Sequence, residues 1–471
     1  MDVIVIGAGP VGLFLAAELR LAGAEVVVLE KLTNPAEETK ARGLGVLATE
    51  ALWRRGLGDQ LAEANTSGSK DFARDHGSAL GHFANIHKLA PDPARPRTHI
   101  WQPELERVLT KHAEALGVEI LRGHEVIAFE SDVDGVTATT AQGRRRAKYL
   151  VGCDGGGSPV RKLAGFAFPG TPSLLHTIAA RVRFAGDVPA PGRYAAGTFL
   201  QGGSLAGVTE LATGAEPDGP LTAPELAASI RRVTGADVVI DEFGDARRFG
   251  DHARQAETYR RNRVFLAGDA AHVHSPSGGQ GLNLGLLDAL NLGWKLGAVI
   301  RGDAPEALLD TYTRERHPAG EAVLRNTRAQ SALLAPGPYV DALREIVGEL
   351  MDLPEANRYF SALLSAVNQR YEFPYESKEP VGLHSPDIEL VDDEGRTSRL
   401  HEHTRTGRGL LLLTPATRHL ADRRVDVIPV TNTGPLLLRP DGVVAWAGEG
   451  PFDVALNTWF QPPRKTLPGH P

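Results

Sequence analysis

The chain of 471 residues contains a single cysteine, Cys153. One thiol excludes an intrachain disulfide and any metal centre built from several cysteines, and it suits a reducing, cytoplasmic setting. Positive charge is also in short supply. Lys and Arg number 51 against 58 Asp and Glu, a formal charge of −7, which is the wrong sign for a general nucleic-acid binder. No apolar run is long and charge-free enough to span a bilayer. The first one, Val3 to Ile6, is broken by Gly7 before it could form the core of an export signal. Neither membrane nor nucleic acid is therefore expected as a partner. His272 and His274 form a His-x-His pair without carboxylates at ligand spacing, so no metal is expected. No Ser/His/Asp triad or converging pair of acids stands out, and no repeat period or low-complexity tract. What remains is a chain of ordinary globular composition, long enough for two or three domains.

The start of the chain is dense with signal. Asp2-Val-Ile-Val-Ile6 reads as a buried strand, Gly7-Ala-Gly9-Pro-Val-Gly12 as a turn into a helix running to Leu21, and Glu25-Val-Val-Val-Leu29 as a second strand ending at Glu30. This is the order of a βαβ dinucleotide unit. Gly7 permits the tight turn, Gly9 lets backbone approach a pyrophosphate, and Gly12 lets helix and strand pack closely, with the phosphates on the helix N-terminus. Glu30 is placed to accept hydrogen bonds from ribose hydroxyls, and its charge disfavours a 2′-phosphate there. Gly43-Leu-Gly45-Val-Leu-Ala48 has the same spacing but no preceding strand, and reads as a loop entering a helix.

A second dense segment is Arg263-Val-Phe-Leu-Ala-Gly268-Asp269, followed by Pro276-Ser-Gly278-Gly279-Gln280-Gly281-Leu282-Asn283. A carboxylate just past a strand end can accept hydrogen bonds from a polyol. A Gly-rich loop running into a helix aims N–H groups and a positive dipole end at an electron-rich ligand. Between these motifs, Tyr149-Leu-Val-Gly-Cys-Asp154-Gly155 reads as another buried strand ending in Asp-Gly. A helix is expected over 103–116, strands at 119–121, 125–130 and 136–140, and a strand-rich stretch from about 170 to 252 with one helix after Thr222. Another helix follows over 282–300, and helices continue to about Gln369. Strands then return at 410–413, 425–429, 436–438 and 443–447. The breaks place a nucleotide-binding domain at 1–170 and 253–330, an inserted sheet domain at 171–252, a helical connector at 331–375 and a last domain at 376–471. No cofactor motif lies beyond about Pro386, which predicts that this part can be removed with the cofactor still bound. Trp294, Gly293 and Gly297 read as helix packing against the sheet, and His272 and His274 as residues that shape the loop.

Three motifs in this order resemble the class A flavoprotein monooxygenases, which have the p-hydroxybenzoate hydroxylase fold: Gly7/Gly9/Gly12 with Glu30, Asp154-Gly155-x-x-Ser158-x-Val160-Arg161, and Gly268-Asp269 with Pro276 and Gly-Gly-Gln-Gly-Leu-Asn. The flanks Arg254-Gln-Ala256-x-x-Tyr259-Arg260 and Asp288-Ala-x-Asn291-Leu-x-Trp294-Lys295-Leu296 are similar to the branch of aromatic polyketide hydroxylases and rifampicin monooxygenases. The resemblance covers nearly the whole chain. It implies an α/β fold: a Rossmann-like FAD-binding domain, an inserted β-sheet substrate domain and a C-terminal thioredoxin-like domain, here without cysteine and so without thiol chemistry.

The resemblance also implies roles. FAD would be held non-covalently by Gly7, Gly9, Val11, Gly12, Glu30, Lys31, Arg42, Gln102, Val126, Asp154, Arg161, Gly268, Asp269, Gly281, Leu282 and Asn283. Pro276, Gly278 and Gly279 would form the catalytic loop. Gly278, Gly279, Leu282 and Asn283 would lie against the isoalloxazine. NADPH or NADH would reduce the flavin, and O₂ would give a C4a-hydroperoxyflavin that hydroxylates an aromatic, polyketide- or antibiotic-like substrate. The protein would be a monomer or homodimer. Phe72, Phe83, Phe199 and Phe243 are candidate walls of the substrate site. Baeyer–Villiger oxygenation by the same peroxyflavin is the alternative, and a flavoprotein that binds an aromatic antibiotic without turnover is the second. A flavin-dependent halogenase is disfavoured by the absence of a Trp-x-Trp-x-Ile-Pro segment. Gly43-Leu-Gly45-Val46 departs from the His-Ala-Arg-like stretch common in relatives.

Overall fold

The computed structural model describes residues 1–35, 41–64, 82–90, 92, 94–95, 97–214, 219–448 and 450–461. Phe72 lies outside the described residues. The N-terminal strand Val3–Ile6 is apolar at every position and buried on both faces, the pattern of an inner parallel strand. It pairs in parallel with Val26–Glu30 on one side and Tyr149–Gly152 on the other. Across the sheet the order is Arg260–Arg261, Val264–Leu266, Tyr149–Gly152, Val3–Ile6, Val26–Glu30 and Glu119–Arg122. The ends of Val3–Ile6, Tyr149–Gly152 and Val264–Leu266 thus share one edge of the sheet, and the three glycine or Asp-Gly motifs follow them directly.

The helix Pro10–Leu21 packs on the long helix Gly281–Ile300 through missing side chains. A Cβ at Gly293 would stand 2.5 Å from the Glu18 Cβ, and one at Gly297 would stand 2.2 Å from the Ala22 Cβ. Those glycines therefore serve a helix–helix contact rather than the helix–sheet contact expected of them. Trp294 faces elsewhere, into a core shared with Leu411, Trp446 and Trp459 of the C-terminal part.

A meander of Val126–Ser131, Val136–Thr140 and Gly143–Ala147 adjoins the first sheet. Its third strand escaped sequence reading because Arg144, Arg145 and Arg146 give no apolar alternation. A five-stranded antiparallel sheet follows, in the order Gly192–Tyr194, Gly197–Gly202, Leu205–Leu211, Leu175–Ala185, Val239–Gly250. The helix Ala223–Thr234 covers one of its faces with Leu226, Ile230 and Val233. Phe199 pairs with Val208 and Phe243 with Val182, all packed under that helix. These two phenylalanines belong to the domain's own core and are not walls of a substrate site. Phe83 is likewise enclosed, against Phe360, Leu333 and Met351.

The connector comprises the helices Asp310–Leu334, Pro338–Leu350 and Pro354–Ser365. Beyond it lies a mixed sheet in the order Asp426–Pro429, Leu410–Leu413, Leu436–Leu438, Val444–Trp446, whose first pair is parallel and the rest antiparallel. The helix Phe452–Trp459 follows this sheet. This part is tied to the rest by buried charge. Arg439 bonds both oxygens of Glu315 at 2.8 Å and also pairs with Asp441. Lys295 and Asn291 reach the same Glu315 at 2.8 and 2.7 Å. Arg55 is held by Glu18 at 2.6 Å and donates to the carbonyls of Thr404 and Pro440, while Arg54 donates to that of Ser385. Removing one side of such contacts leaves buried charges without partners, a loss of about 3–5 kcal/mol for each broken pair. Removing the segment beyond Pro386 would therefore strip buried charges of their partners, whatever it leaves of cofactor binding.

Candidate cofactor site

The turn after the first strand closes on itself by steric need. Gly7 has φ +103°, and a Cβ there would lie 2.5 Å from the Cys153 carbonyl oxygen. A Cβ on Gly12 would lie 2.0 Å from the Gly7 carbonyl oxygen. Gly9 differs: at φ −74° and ψ 177° it needs no special backbone, and among the described residues no atom beyond its chain neighbours lies within 4 Å of where its Cβ would stand. Its missing side chain leaves open space over the N-terminus of the helix Pro10–Leu21. That terminus has no side-chain cap and no acid in its first turn. Uncapped N–H groups beside open space suit the pyrophosphate of a dinucleotide.

Glu30 braces this cradle from the second strand. Its carboxylate accepts the Ala8 N–H at 2.7 Å and the Leu32 N–H at 2.9 Å, one on each oxygen, leaving lone pairs for hydroxyl donors. The His124 N–H bonds the Glu30 carbonyl at 2.8 Å, which brings the start of Val126–Ser131 to the same strand end. Lys31 is exposed there. Arg42 and Gln102 are drawn together because the Gln102 N–H donates to the Ala41 carbonyl at 3.0 Å. The Gln102 side-chain amide donates to Glu106 at 2.8 Å. Burial lowers the proton affinity of Arg42, and the nearby Arg247 of the five-stranded sheet lowers it further.

The second motif abuts the first. A Cβ on Gly268 would stand 3.0 Å from Val11 Cγ2, and one on Gly285 would stand 2.7 Å from the same atom. Val11 therefore joins the two helix N-termini by packing. The N-terminus of Gly281–Ile300 is also without a side-chain cap or an acid in its first turn. Asp269 is exposed between buried Gly268 and buried Ala270, and among the described residues nothing bonds its carboxylate. A Cβ on Gly281 would stand 3.8 Å from Asp269 Oδ1 and 3.5 Å from His274 Nε2. Pro276 and Gly279 are exposed, and Gly279 has φ +62°. Gly278 turns away: its Cβ would meet Leu364 Cδ2 at 2.8 Å, so it faces the connector helices rather than the exposed side of the loop.

Asn283 accepts the Gly45 N–H at 2.6 Å and donates to the Gly279 carbonyl at 2.7 Å, while Leu282 is half-buried. The unusual Gly43–Val46 stretch is thus fastened to the loop by Asn283, since a Cβ on Gly45 would stand only 3.4 Å from the Asn283 carboxamide carbon. Asp154 accepts the Ser158 hydroxyl at 2.5 Å and the Val160 N–H at 2.9 Å, and burial raises its proton affinity. Arg161 donates to the carbonyls of Ala270 and Gly156 and stacks on Phe168. Both residues of that motif are engaged by the protein itself, and Arg161 braces the Asp269 turn through the Ala270 carbonyl. His274 donates from Nδ1 to the Ser275 carbonyl at 2.7 Å, and His272 Nε2 meets Asp288 at 2.7 Å. Both histidines shape the loop.

Residues 1–327 match the family model of the FAD binding domain, and residues 378–463 match that of the aromatic-ring hydroxylase C-terminal region. The chain belongs to the FAD-dependent aromatic monooxygenases. It is similar to a 12-dehydrotetracycline 5-monooxygenase/anhydrotetracycline 6-monooxygenase of Streptomyces rimosus, at 41% identity over 98% of this chain and 99% of that one. A rifampicin monooxygenase of Streptomyces venezuelae is 40% identical over 98% of both chains. The solved structure of the anhydrotetracycline hydroxylase OxyS from Streptomyces rimosus superposes with a TM-score of 0.87 at 39% identity, covering 98% of this chain and 99% of that one. Among the described residues no cluster of side chains could hold a metal, and no helix is long and apolar enough to cross a membrane.

For a monooxygenase of this family, the open face of Gly9, the uncapped helix ends and the unbonded Asp269 carboxylate fit FAD. Sequence reading missed a buried amide chain behind its loop. Gln280 accepts from Asn326 at 2.5 Å, and Gln330 accepts the Ala84 N–H at 3.0 Å. The only signal in the sequence is polar residues at helical spacing, Asn326 and Gln330, within an otherwise unremarkable helix.

Proposed function

We propose that the chain holds FAD non-covalently and, with NADPH or NADH and O₂, adds one oxygen atom to an electron-rich aromatic ring of a polyketide- or antibiotic-like substrate. The observation that carries this reading is the pairing of an open Gly9 face with an unbonded Asp269 carboxylate, on strand ends three motifs share. In it, the uncapped N–H groups at Val11 and Gly12 take the pyrophosphate, Glu30 the adenosine ribose and Asp269 the ribityl chain. The loop of Pro276 and Gly279 lies beside the ring system. Bound flavin supplies the oxygen-activating chemistry; the protein binds it, orients it and excludes water. The dipole at the N-terminus of Gly281–Ile300 stabilises negative charge on a reduced ring.

The substrate side is read from strand parity. The face of the five-stranded sheet turned away from its helix carries Thr177, Ala179, Gly207 and Thr209, flanked by Arg247 and Phe249. The Thr177 and Thr209 hydroxyls bond each other at 2.9 Å, and Arg247 acts on the charge of Arg42 beside the cofactor cradle. Small and hydroxylic side chains leave room for a flat polycycle and can bond its phenols. In this reading residues 171–252 form the substrate domain, set between the cofactor-binding parts at 1–170 and 253–330. The mixed sheet order supports a thioredoxin-like reading of 376–471, which here serves as structure.

Aromatic polyketides and ansamycins are the substrates to screen, by accelerated NADPH or NADH oxidation and by ¹⁸O₂ labelling. One labelled oxygen at a ring carbon ortho or para to a phenol is expected. Label from water overturns the reading, a lactone product replaces hydroxylation with Baeyer–Villiger oxygenation, and binding without accelerated oxidation leaves only sequestration.

A further inference from the structure

The turn that presents Asp269 is closed by one backbone bond, from the Ala271 N–H to the Gly268 carbonyl at 2.8 Å, and Arg161 holds its Ala270 carbonyl. Gly268 is in the left-handed region at φ +63°, its N–H is buried, and Asp269 itself projects without a partner. The group that holds that N–H comes from the next helix. Asp288, wholly buried on Gly281–Ile300, accepts the Gly268 N–H at 3.1 Å and meets His272 Nε2 at 2.7 Å, both on Oδ2. Gly268 and His272 bracket Asp269. On its other oxygen Asp288 takes Arg316 Nε at 2.7 Å. The remaining guanidinium donors of Arg316 go to the Tyr371 hydroxyl at 2.8 Å and the Leu284 carbonyl at 3.0 Å. One carboxylate thus clamps both ends of the turn, and one buried cation keeps that carboxylate in place.

We propose that Asp288 is a positioning residue for the flavin half of the cofactor, setting the direction of Asp269 through Gly268 and His272. This rests on the FAD reading above and adds to it a division of labour. The adenosine half is held by Gly9, Glu30 and the first helix, which Asp288 does not touch. Loss of the clamp should then loosen the flavin half and spare the adenosine half. A residue that merely supported the fold would weaken both alike.

The discriminating experiment compares FAD with ADP, which carries only the adenosine half, on the full chain. Asp288→Asn keeps the shape but removes the charge that Arg316, His272 and Gly268 share. It is expected to raise the Kd for FAD at least about tenfold, the scale of one lost charge-assisted hydrogen bond, and to leave the Kd for ADP unchanged. Lys295→Met is the control, since Lys295 is equally buried on the same helix but bonds Asn291 and Glu315. It should lower the melting temperature without separating FAD from ADP. His272→Phe keeps a ring in place but removes one arm of the clamp, the His272 Nε2 bond to Asp288, and should separate the two ligands in the same sense by a smaller factor. If Asp288→Asn does not fold, His272→Phe carries the test. Equal weakening of FAD and ADP, or no weakening of FAD, overturns the proposal. A wild-type chain that binds ADP but never FAD overturns the underlying cofactor reading instead.

Discussion

Gly9→Ala separates the use of a glycine for binding from its use for folding. The three glycines of the first turn look equivalent in sequence, but their surroundings differ sharply. An alanine at Gly12 would place its Cβ 2.0 Å from the Gly7 carbonyl oxygen, and one at Gly7 would collide with Cys153 at 2.5 Å in a left-handed backbone. Real carbon–oxygen contacts do not close to such distances, so both variants must distort the turn. At Gly9 the backbone angles suit any residue and the Cβ position is empty. The folding cost there is that of an alanine for a glycine at a helix N-cap, about 1 kcal/mol or less.

A bound pyrophosphate would have to share the emptied space with the new methyl group. Displacing it from the N–H groups of the helix end costs at least one charge-assisted hydrogen bond, about 1.5–3 kcal/mol. That corresponds to roughly a 10- to 150-fold rise in the Kd for FAD. Fluorescence titration of apoprotein with FAD, alongside thermal melts without FAD, measures the two quantities separately. Gly9→Ala should melt within a few degrees of wild type and bind FAD weakly, whereas Gly12→Ala should melt much lower. If Gly9→Ala binds FAD as tightly as wild type, the open face is not where the phosphates lie and the cradle has been misplaced.

Asp269→Ala removes an exposed carboxylate that no described residue bonds, so apoprotein stability should hold while flavin content after purification falls; full loading would show that Asp269 has been misread. Truncation before Pro386 strips partners from Arg54, Arg55, Asn291 and Glu315, and should give insoluble or low-melting protein. A soluble truncate with an unchanged melting temperature would refute the claim that the interface is integral. Arg439→Met should cost about 3–5 kcal/mol at neutral pH, because it leaves Glu315 with too little positive charge. Burial raises the proton affinity of Glu315, but Arg439 and Lys295 more than offset this and hold its pKa below the ordinary 4.5. Its ionised contribution is therefore complete above that value and lost as pH falls below it. The deficit of Arg439→Met should accordingly shrink progressively as pH falls from 4.5 toward the lowered folded value, and urea unfolding at pH 7 and pH 3 tests this; a deficit independent of pH would count against the ion pair as its source.

The readable parts of this molecule are those whose partners lie close in sequence. A strand, a glycine turn and a helix N-terminus occupy a dozen residues from Val3, and the pattern states its own geometry because each glycine answers to a neighbour fixed by the turn. Asp269 was legible for the same reason, as a carboxylate at a strand end before a Gly-rich loop. Arg439 and Glu315 are 124 residues apart, and neither carries any local mark that it will be buried against the other. Asp288 and Arg316 share that difficulty, since an acid and an arginine on successive helices read as surface charge until the helices are packed. The substrate wall failed for a different reason. In a sheet, side chains alternate between faces, so residue type says nothing about the site until it is known which face is already covered. Leu226, Ile230 and Val233, at helical spacing after Thr222, mark an apolar helix face that must lie on some sheet. Once it is placed on the neighbouring strands, the large apolar residues there, Phe199 and Phe243 among them, are used up beneath it. The opposite face carries the inconspicuous Thr177, Ala179, Gly207 and Thr209, with Phe249 beside Thr177 as its one aromatic among these pairs. In the proposed reading the wall that admits a flat polycycle is built mostly from small and hydroxylic residues, which a search for aromatics passes over.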